Sequence, residues 1–319
     1  MPEHFRRTDP RYDRRVEVEL VFDGKKSSAL TKNISLGGMY VESLDLIPTE
    51  TTLQVLRGES RLNVTVEGDG PPLLYLHGLS ARATFARAEA PSGYRLATYD
   101  QRGHASATPF TSPEAYAIGE FVDDALAVLA QLGWARAAVG GTSMGAAVAL
   151  RLALDHPERV ETLILAGPAF GDEPNPVLTG DTELAAGIEE LGLPEAIRVR
   201  KAEMIERGLP ADAAAFLDTW LAHDPRALVT AMRAVSAWVP FPDLAQVASL
   251  PMPVVVLGWP DDDMHPLSIA ERIAALASAP VATVSGVAEV LARPASVSRA
   301  LDALLAGAGC GPSVAAPTT

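Results

Sequence analysis

From about residue 52 onward, short apolar runs alternate with longer amphipathic stretches, the pattern of a mostly parallel sheet covered by helices. The apolar runs are Thr52 to Leu56, Arg61 to Val66, Leu73 to His77, Arg95 to Tyr99, Arg136 to Val139, Val160 to Leu165, Val254 to Leu257 and Val281 to Val284. Eight strands are therefore predicted. Ser112-Pro113 supplies a cap and a first-turn proline before EAYAIGEFVDDALAVLAQL, and Gly133 stops that helix. Residues 168–250 interrupt the alternation with helical, proline-punctuated sequence before a strand resumes, which predicts an inserted helical lid. Ahead of all this, residues 1–51 hold two strand-like runs, VEVELVF and the stretch before Asn33. The expected organisation is a small β segment over 1–51, an α/β domain over 52–306 with its lid at about 168–250, and a disordered tail over 307–319.

With 319 residues and 48% hydrophobic content, the chain can bury one large core and a small appended module. The formal charge of -14 repels nucleic acid and anionic membranes over most of the surface, so neither is an expected partner. The exception is the N-terminus, where Arg6, Arg7, Arg11, Arg14 and Arg15 cluster. Cys310 is the single cysteine, which excludes an intramolecular disulfide. There is no apolar signal core at the start and no apolar run of about 18 residues. A soluble cytoplasmic protein without cofactor or metal is the expectation.

Candidate chemistry centres on GGTSMG, where Gly141, Ser143 and Gly145 form G-x-S-x-G directly after an apolar strand and before a helix rich in small residues. Such a turn strains the serine backbone and presents its Oγ at the strand end. A phosphate loop is the other meaning of a glycine-rich turn, but no lysine follows. Upstream, LLYLHGLS ends a strand at His77-Gly78-Leu79, so the main-chain N–H groups of Leu79 and Met144 could cradle an oxyanion. His77 is expected to be a structural residue of that loop.

YLHG, YDQRGHASA (Tyr99 to Ala107), GGTSMG and DHPERVETLILAGPA (Asp155 to Ala169), in that order, resemble the α/β-hydrolase superfamily over about residues 52–306. The resemblance implies an eight-stranded, mostly parallel α/β-hydrolase sheet with a helical lid, here preceded by a small incomplete β segment. It leaves the substrate open, because this fold hosts many chemistries. Ala105 departs from the family's usual glycine.

The family's triad runs Ser, then Asp or Glu, then His along the chain. VVVLGWPDDDMHP offers Asp261, Asp262 and Asp263, and Asp262, four residues before Pro266, fits the acid best. Acids capping the next helix are the structural alternative. Where the family places its histidine, Gly286-Val287-Ala288-Glu289 puts Glu289. Three bases are open: Glu289 itself with its pKa raised by burial and by Asp262, His265, and His104. The expected function is a serine hydrolase for a small ester or related acyl substrate, with activity reduced by the missing histidine. A non-catalytic binding protein on the same fold is the alternative.

The N-terminal segment has its own motifs. Arg11 to Arg15 reads R-x-x-x-R, and Asn33, Ser35 and Gly38 read N-x-S-x-x-G. Together they resemble the PilZ family, which implies cyclic di-GMP gripped by Arg11 and Arg15 and by the turn of Asn33, Ser35 and Gly38. The segment is too short for that family's closed barrel, which leaves a structural hairpin as the alternative.

Overall fold

The computed structural model describes residues 17–22, 25–35, 38–42 and 50–312. Two compact units are separated at Leu53/Gln54. In the first, β1 (Glu17–Phe22), β2 (Lys25–Ser35) and β3 (Gly38–Glu42) form an antiparallel meander, with Glu17 opposite Leu30 and Ser35 opposite Gly38.

The remaining strands are β4 (Glu50–Arg57), β5 (Ser60–Glu67), β6 (Pro72–Leu76), β7 (Arg95–Tyr99), β8 (Ala137–Thr142), β9 (Val160–Ala166), β10 (Val254–Gly258) and β11 (Val281–Thr283). They form one sheet in the order β11-β10-β9-β8-β6-β7-β5-β4, and each overlaps one predicted apolar run. Pairing is parallel from β11 to β7 and antiparallel between β5 and β7. The central strands are apolar without alternation because helices cover both of their faces. Tyr75, Leu76, Val139, Leu165 and Val256 are all fully buried.

The helices are α1 (Ala83–Glu89), α2 (Ile118–Gln131), α3 (Met144–Asp155), α4 (Thr179–Leu191), α5 (Leu193–Glu206), α6 (Ala211–Ala214), α7 (Pro225–Ser236), α8 (Leu267–Ala277), α9 (Val287–Ala292) and α10 (Ala295–Gly307). In α3 the run of alanines and Gly145 brings the helix close to β6, β8 and β9, where Gly145 has no room for a Cβ against the Leu76 carbonyl. The lid consists of α4 to α7 and has a core of its own around Ile188, Ile197, Leu217, Leu228 and Met232.

Two boundaries differ from the sequence expectation. The helix expected from Pro113 is broken: a short 3-10 turn covers Pro113–Tyr116, Ala117 is extended, and α2 begins at Ile118. The Tyr116 hydroxyl causes the break by reaching back to donate to the carbonyls of Phe110 and Ala227, a contact that periodicity does not encode. Within the stretch expected as a tail, α10 runs through Gly307 and Pro312 lies against Gly93.

A buried ion-pair network fixes the loop after β7. The Arg102 guanidinium, 3% exposed, donates to both oxygens of Asp124 at 2.8 and 3.0 Å and to the Ala115 carbonyl at 2.6 Å. Arg57 donates to the same aspartate at 2.7 Å. A buried carboxylate so fully paired is stable in place, while removing one partner strands a charge.

Candidate active site

Ser143 sits between β8 and α3 with φ 57° and ψ −115°, a conformation L-residues rarely adopt. Its N–H donates to the Ala166 carbonyl at 3.0 Å, and its carbonyl accepts from Ala147 at 3.1 Å, so the kink is held from both sides. The motif glycines have no space for side chains. A Cβ on Gly141 would stand 2.6 Å from the Leu76 carbonyl oxygen, and one on Gly145 would stand 2.1 Å from it. The elbow's sequence is thus dictated by close backbone approach. Ser143 remains partly exposed.

Gly78 brings the loop after β6 over this serine: its missing Cβ would lie 3.2 Å from Ser143 Cβ. Leu79 follows, its N–H donating to no acceptor among the described residues, and its side chain packs on the lid core. Met144 opens α3, where main-chain N–H groups are free of helical partners. Beneath the loop, His77 is fully buried and donates from Nδ1 to the Gly78 carbonyl at 2.7 Å, while Nε2 accepts the Gln101 N–H at 2.8 Å. Burial holds its pKa down at about 4, so the ring is neutral at pH 7. His104 is equally buried, with Nε2 accepting the Ser80 N–H at 3.1 Å and Nδ1 donating to the Arg102 carbonyl at 3.0 Å. Both ring nitrogens are engaged, and neither faces the serine.

The loop after β10 supplies the partners. Ser143 Oγ–H donates to His265 Nε2 at 2.8 Å, and His265 Nδ1–H donates to Asp262 Oδ2 at 2.7 Å. The Met264 N–H donates to Asp262 Oδ1 at 3.0 Å, and the Trp259 indole N–H donates to Oδ2 at 2.8 Å. Burial by itself would raise the Asp262 carboxyl, yet these donors outweigh it and hold its pKa below the ordinary value. Asp261 and Asp263 are exposed, and Asp261 takes a positive φ of 59°.

Glu289 does not reach the serine. It is partly exposed on α9, and its carboxylate accepts from the Ser285 hydroxyl and, at 3.4 Å, from the Ser285 N–H. Those bonds lower its pKa, opposite to the rise expected from burial beside Asp262. The position the family's histidine occupies in the chain order is therefore filled by a residue bonded to Ser285 just ahead of its own helix, and the histidine that meets Ser143 lies earlier, three residues after Asp262.

Two contributors carry no motif. Trp259 is 1% exposed and stacks at 5.3 Å on the His265 ring. Asn175, at the lid entry, donates from Nδ2 to the carbonyls of Ala169 at 2.9 Å and Met264 at 3.0 Å. The one signal available in sequence was that His265 is the last histidine of the chain. Of the residues assigned to nucleotide binding, Arg11 and Arg15 lie outside the described residues. Asn33 and Ser35 close β2, and Gly38 opens β3 opposite Ser35.

With this geometry in place, similarity to known proteins can be stated. Residues 71–188 match the family model described as alpha/beta hydrolase fold, a segment that contains Gly78, the elbow and β9. A Bacillus subtilis protein described as an uncharacterized hydrolase, YraK, is 34% identical over 116 residues, which is 35% of this chain and 42% of that protein. A Caulobacter segnis protein described as a carbamate hydrolase, RutD, is 27% identical over 56% of this chain and 68% of its own length. The enol-lactonase from Burkholderia xenovorans superposes with a TM-score of 0.66 at 19% identity, over 80% of this chain and all of that one (100%). The chain has the α/β-hydrolase fold. Relatives with matching segments are named as hydrolases, while the chain spans under half of the Bacillus protein's length.

Proposed function

We propose that this protein is a serine hydrolase for a small ester or related acyl substrate, with Ser143 as nucleophile, His265 as base and Asp262 as acid. One observation carries it: the continuous relay from Ser143 Oγ through the imidazole of His265 to Asp262, at 2.8 and 2.7 Å. A serine is a poor nucleophile until a neighbouring base takes its proton. In the proposed reaction Oγ bonds to the acyl carbon as Nε2 accepts the Oγ proton, and the carbonyl oxygen becomes an oxyanion before the N–H groups of Leu79 and Met144. Collapse expels the alcohol, which takes its proton from His265. Water then repeats the sequence against the acyl-serine and releases the acid. Asp262 stays ionised throughout, consistent with its lowered pKa. The contact of Leu79 with the apolar lid core, which includes Phe216 and Trp220, favours a hydrophobic group on the substrate. Hydrolase names among the relatives fit this class. The test is labelling with a fluorophosphonate probe. Wild type should be labelled, and Ser143→Ala should not; an unlabelled wild type would leave a non-catalytic binding protein as the better account.

For the N-terminal unit, we infer cyclic di-GMP binding from the R-x-x-x-R and N-x-S-x-x-G motifs, with Ser35 and Gly38 paired across neighbouring strands as supporting geometry. Calorimetry on the full chain decides it. Equal heats for wild type and the Arg11→Ala, Arg15→Ala double variant would end the idea.

A further inference from the structure

Trp259 follows β10 directly, and its indole is buried among core side chains that include Val290 and Leu257. A tryptophan ring in that place demands room. Gly167, at the end of β9, provides it: a Cβ there would stand 2.1 Å from the ring, and the glycine takes φ 49°. The ring is thus locked by its surroundings and offers one polar atom, Nε1. That N–H donates to Asp262 Oδ2, the oxygen that also accepts from His265 Nδ1. The same ring packs against the His265 imidazole at 5.3 Å, tilted by 59°.

Resting on the assignment of Ser143, His265 and Asp262 above, we propose that Trp259 is a positioning residue for the acid and base, fixing the Asp262 carboxylate and the plane of the His265 ring together. The physical need comes from where the base sits. Asp262 and His265 share one loop and are three residues apart, so neither is anchored by a separate element of the fold. A carboxylate on such a loop can swing, and each swing carries the imidazole with it. The Met264 N–H pins Oδ1 from within the loop. Trp259 pins Oδ2 from the core side, with a rigid, fully packed donor. Orientation supplied in advance is not lost again when the transition state forms.

The charged groups near the pair are few: Asp261 and Asp263 are exposed in the same loop, and Asp262 is the carboxylate in direct contact with His265. Removing the indole donor leaves the Oδ2 charge to His265 alone. The carboxylate then bears more of its charge toward the imidazole, which alters the pH dependence of turnover.

The test compares Trp259→Phe, which keeps the ring and removes the N–H, with wild type in ester hydrolysis across pH. We expect kcat to fall about 10-fold or more with KM little changed, and the pH profile of kcat/KM to shift. Unchanged kcat and an unchanged pH profile in a folded Trp259→Phe protein would overturn the proposal. A variant that fails to fold leaves a second measurement on wild type: the Trp259 indole N–H proton resonance, assigned from Trp134→Phe, Trp220→Phe and Trp238→Phe spectra. It should titrate with the same apparent pKa as kcat/KM, and a resonance flat across that range would equally refute the coupling. His265→Ala separates this from the parent assignment. Full activity in that variant sinks the triad, whereas an inactive His265→Ala beside an unaffected Trp259→Phe sinks only the role of the tryptophan.

Discussion

The elbow around Ser143 and the loop after β11 that carries Glu289 are both places where the α/β-hydrolase fold stores catalytic residues, and here they behave in opposite ways. At the elbow, local sequence and three-dimensional role coincide, because a strained serine pressed between strands tolerates only glycine at 141 and 145. At Glu289 the chain position is right and the side chain is spent on Ser285. A nucleophile's turn is a backbone requirement and leaves a signature. A base needs only to bring one nitrogen within reach of Oγ, and a histidine on any loop of that rim can do so.

The largest expected effect tests that contrast directly. Ser143→Ala and His265→Ala should each lower kcat by about 10⁴ to 10⁶-fold, whereas Glu289→Gln should stay within about twofold of wild type. Initial rates on a nitrophenyl ester measure all three, and a severe loss in Glu289→Gln would restore the base to the terminal loop.

Next in size is the carboxylate under the elbow. Glu89 on α1 is fully buried, neither oxygen meets a donor with hydrogen-bond geometry, and burial raises its pKa to about 8 against a smaller opposing pull from Thr142. In the unfolded chain it ionises near 4.5, so between those two values the native state keeps a proton that the unfolded state has lost. Stability therefore falls as pH rises from about 4.5 to about 8 and levels off above. Glu89→Gln should gain roughly 4 kcal/mol over wild type at pH 9 and nothing near pH 4, read from denaturant midpoints. Glu89 and Glu289 thus make opposite predictions from the same side chain, because one is sealed in and the other is solvated.

Somewhat smaller is the cost of crowding the elbow. Gly145→Ala places its Cβ 2.1 Å from the Leu76 carbonyl oxygen, backbone against backbone. A loss of about 3 kcal/mol or more in urea unfolding is expected. The smallest effect concerns Ala105, which holds φ 40° where the family uses glycine. Ala105→Gly relieves about 1 kcal/mol of left-handed strain and adds about half as much unfolded-chain entropy, leaving a net gain of about 0.5 kcal/mol in the same measurement. A loss instead would mean the alanine methyl packs to advantage.

Much of the architecture was legible before any coordinates. Apolar runs located all eight strands of the main sheet, most clearly the central ones, since strands covered on both faces must be apolar throughout. The G-x-S-x-G turn pointed to the kink at Ser143, and the spacing to Pro266 pointed to Asp262, the aspartate that meets His265 in the fold. The break at Ala117 was not legible, because it follows from a Tyr116 hydroxyl bonding to a residue more than a hundred positions away. Asn175 was invisible for the same reason, since its amide bonds to a carbonyl far along the chain, and Trp259 was invisible because a single indole donor beside an aspartate forms no motif.

The sequence by itself determined the sheet, the lid and the kinked serine, all of which rest on local patterns of burial or on backbone shapes that few residues can adopt. Only the tertiary structure decided which histidine meets Ser143, because that is a question of distance across the sheet rim, and residues 143 and 265 become neighbours only once β8 and β10 lie in one sheet with β9 between them.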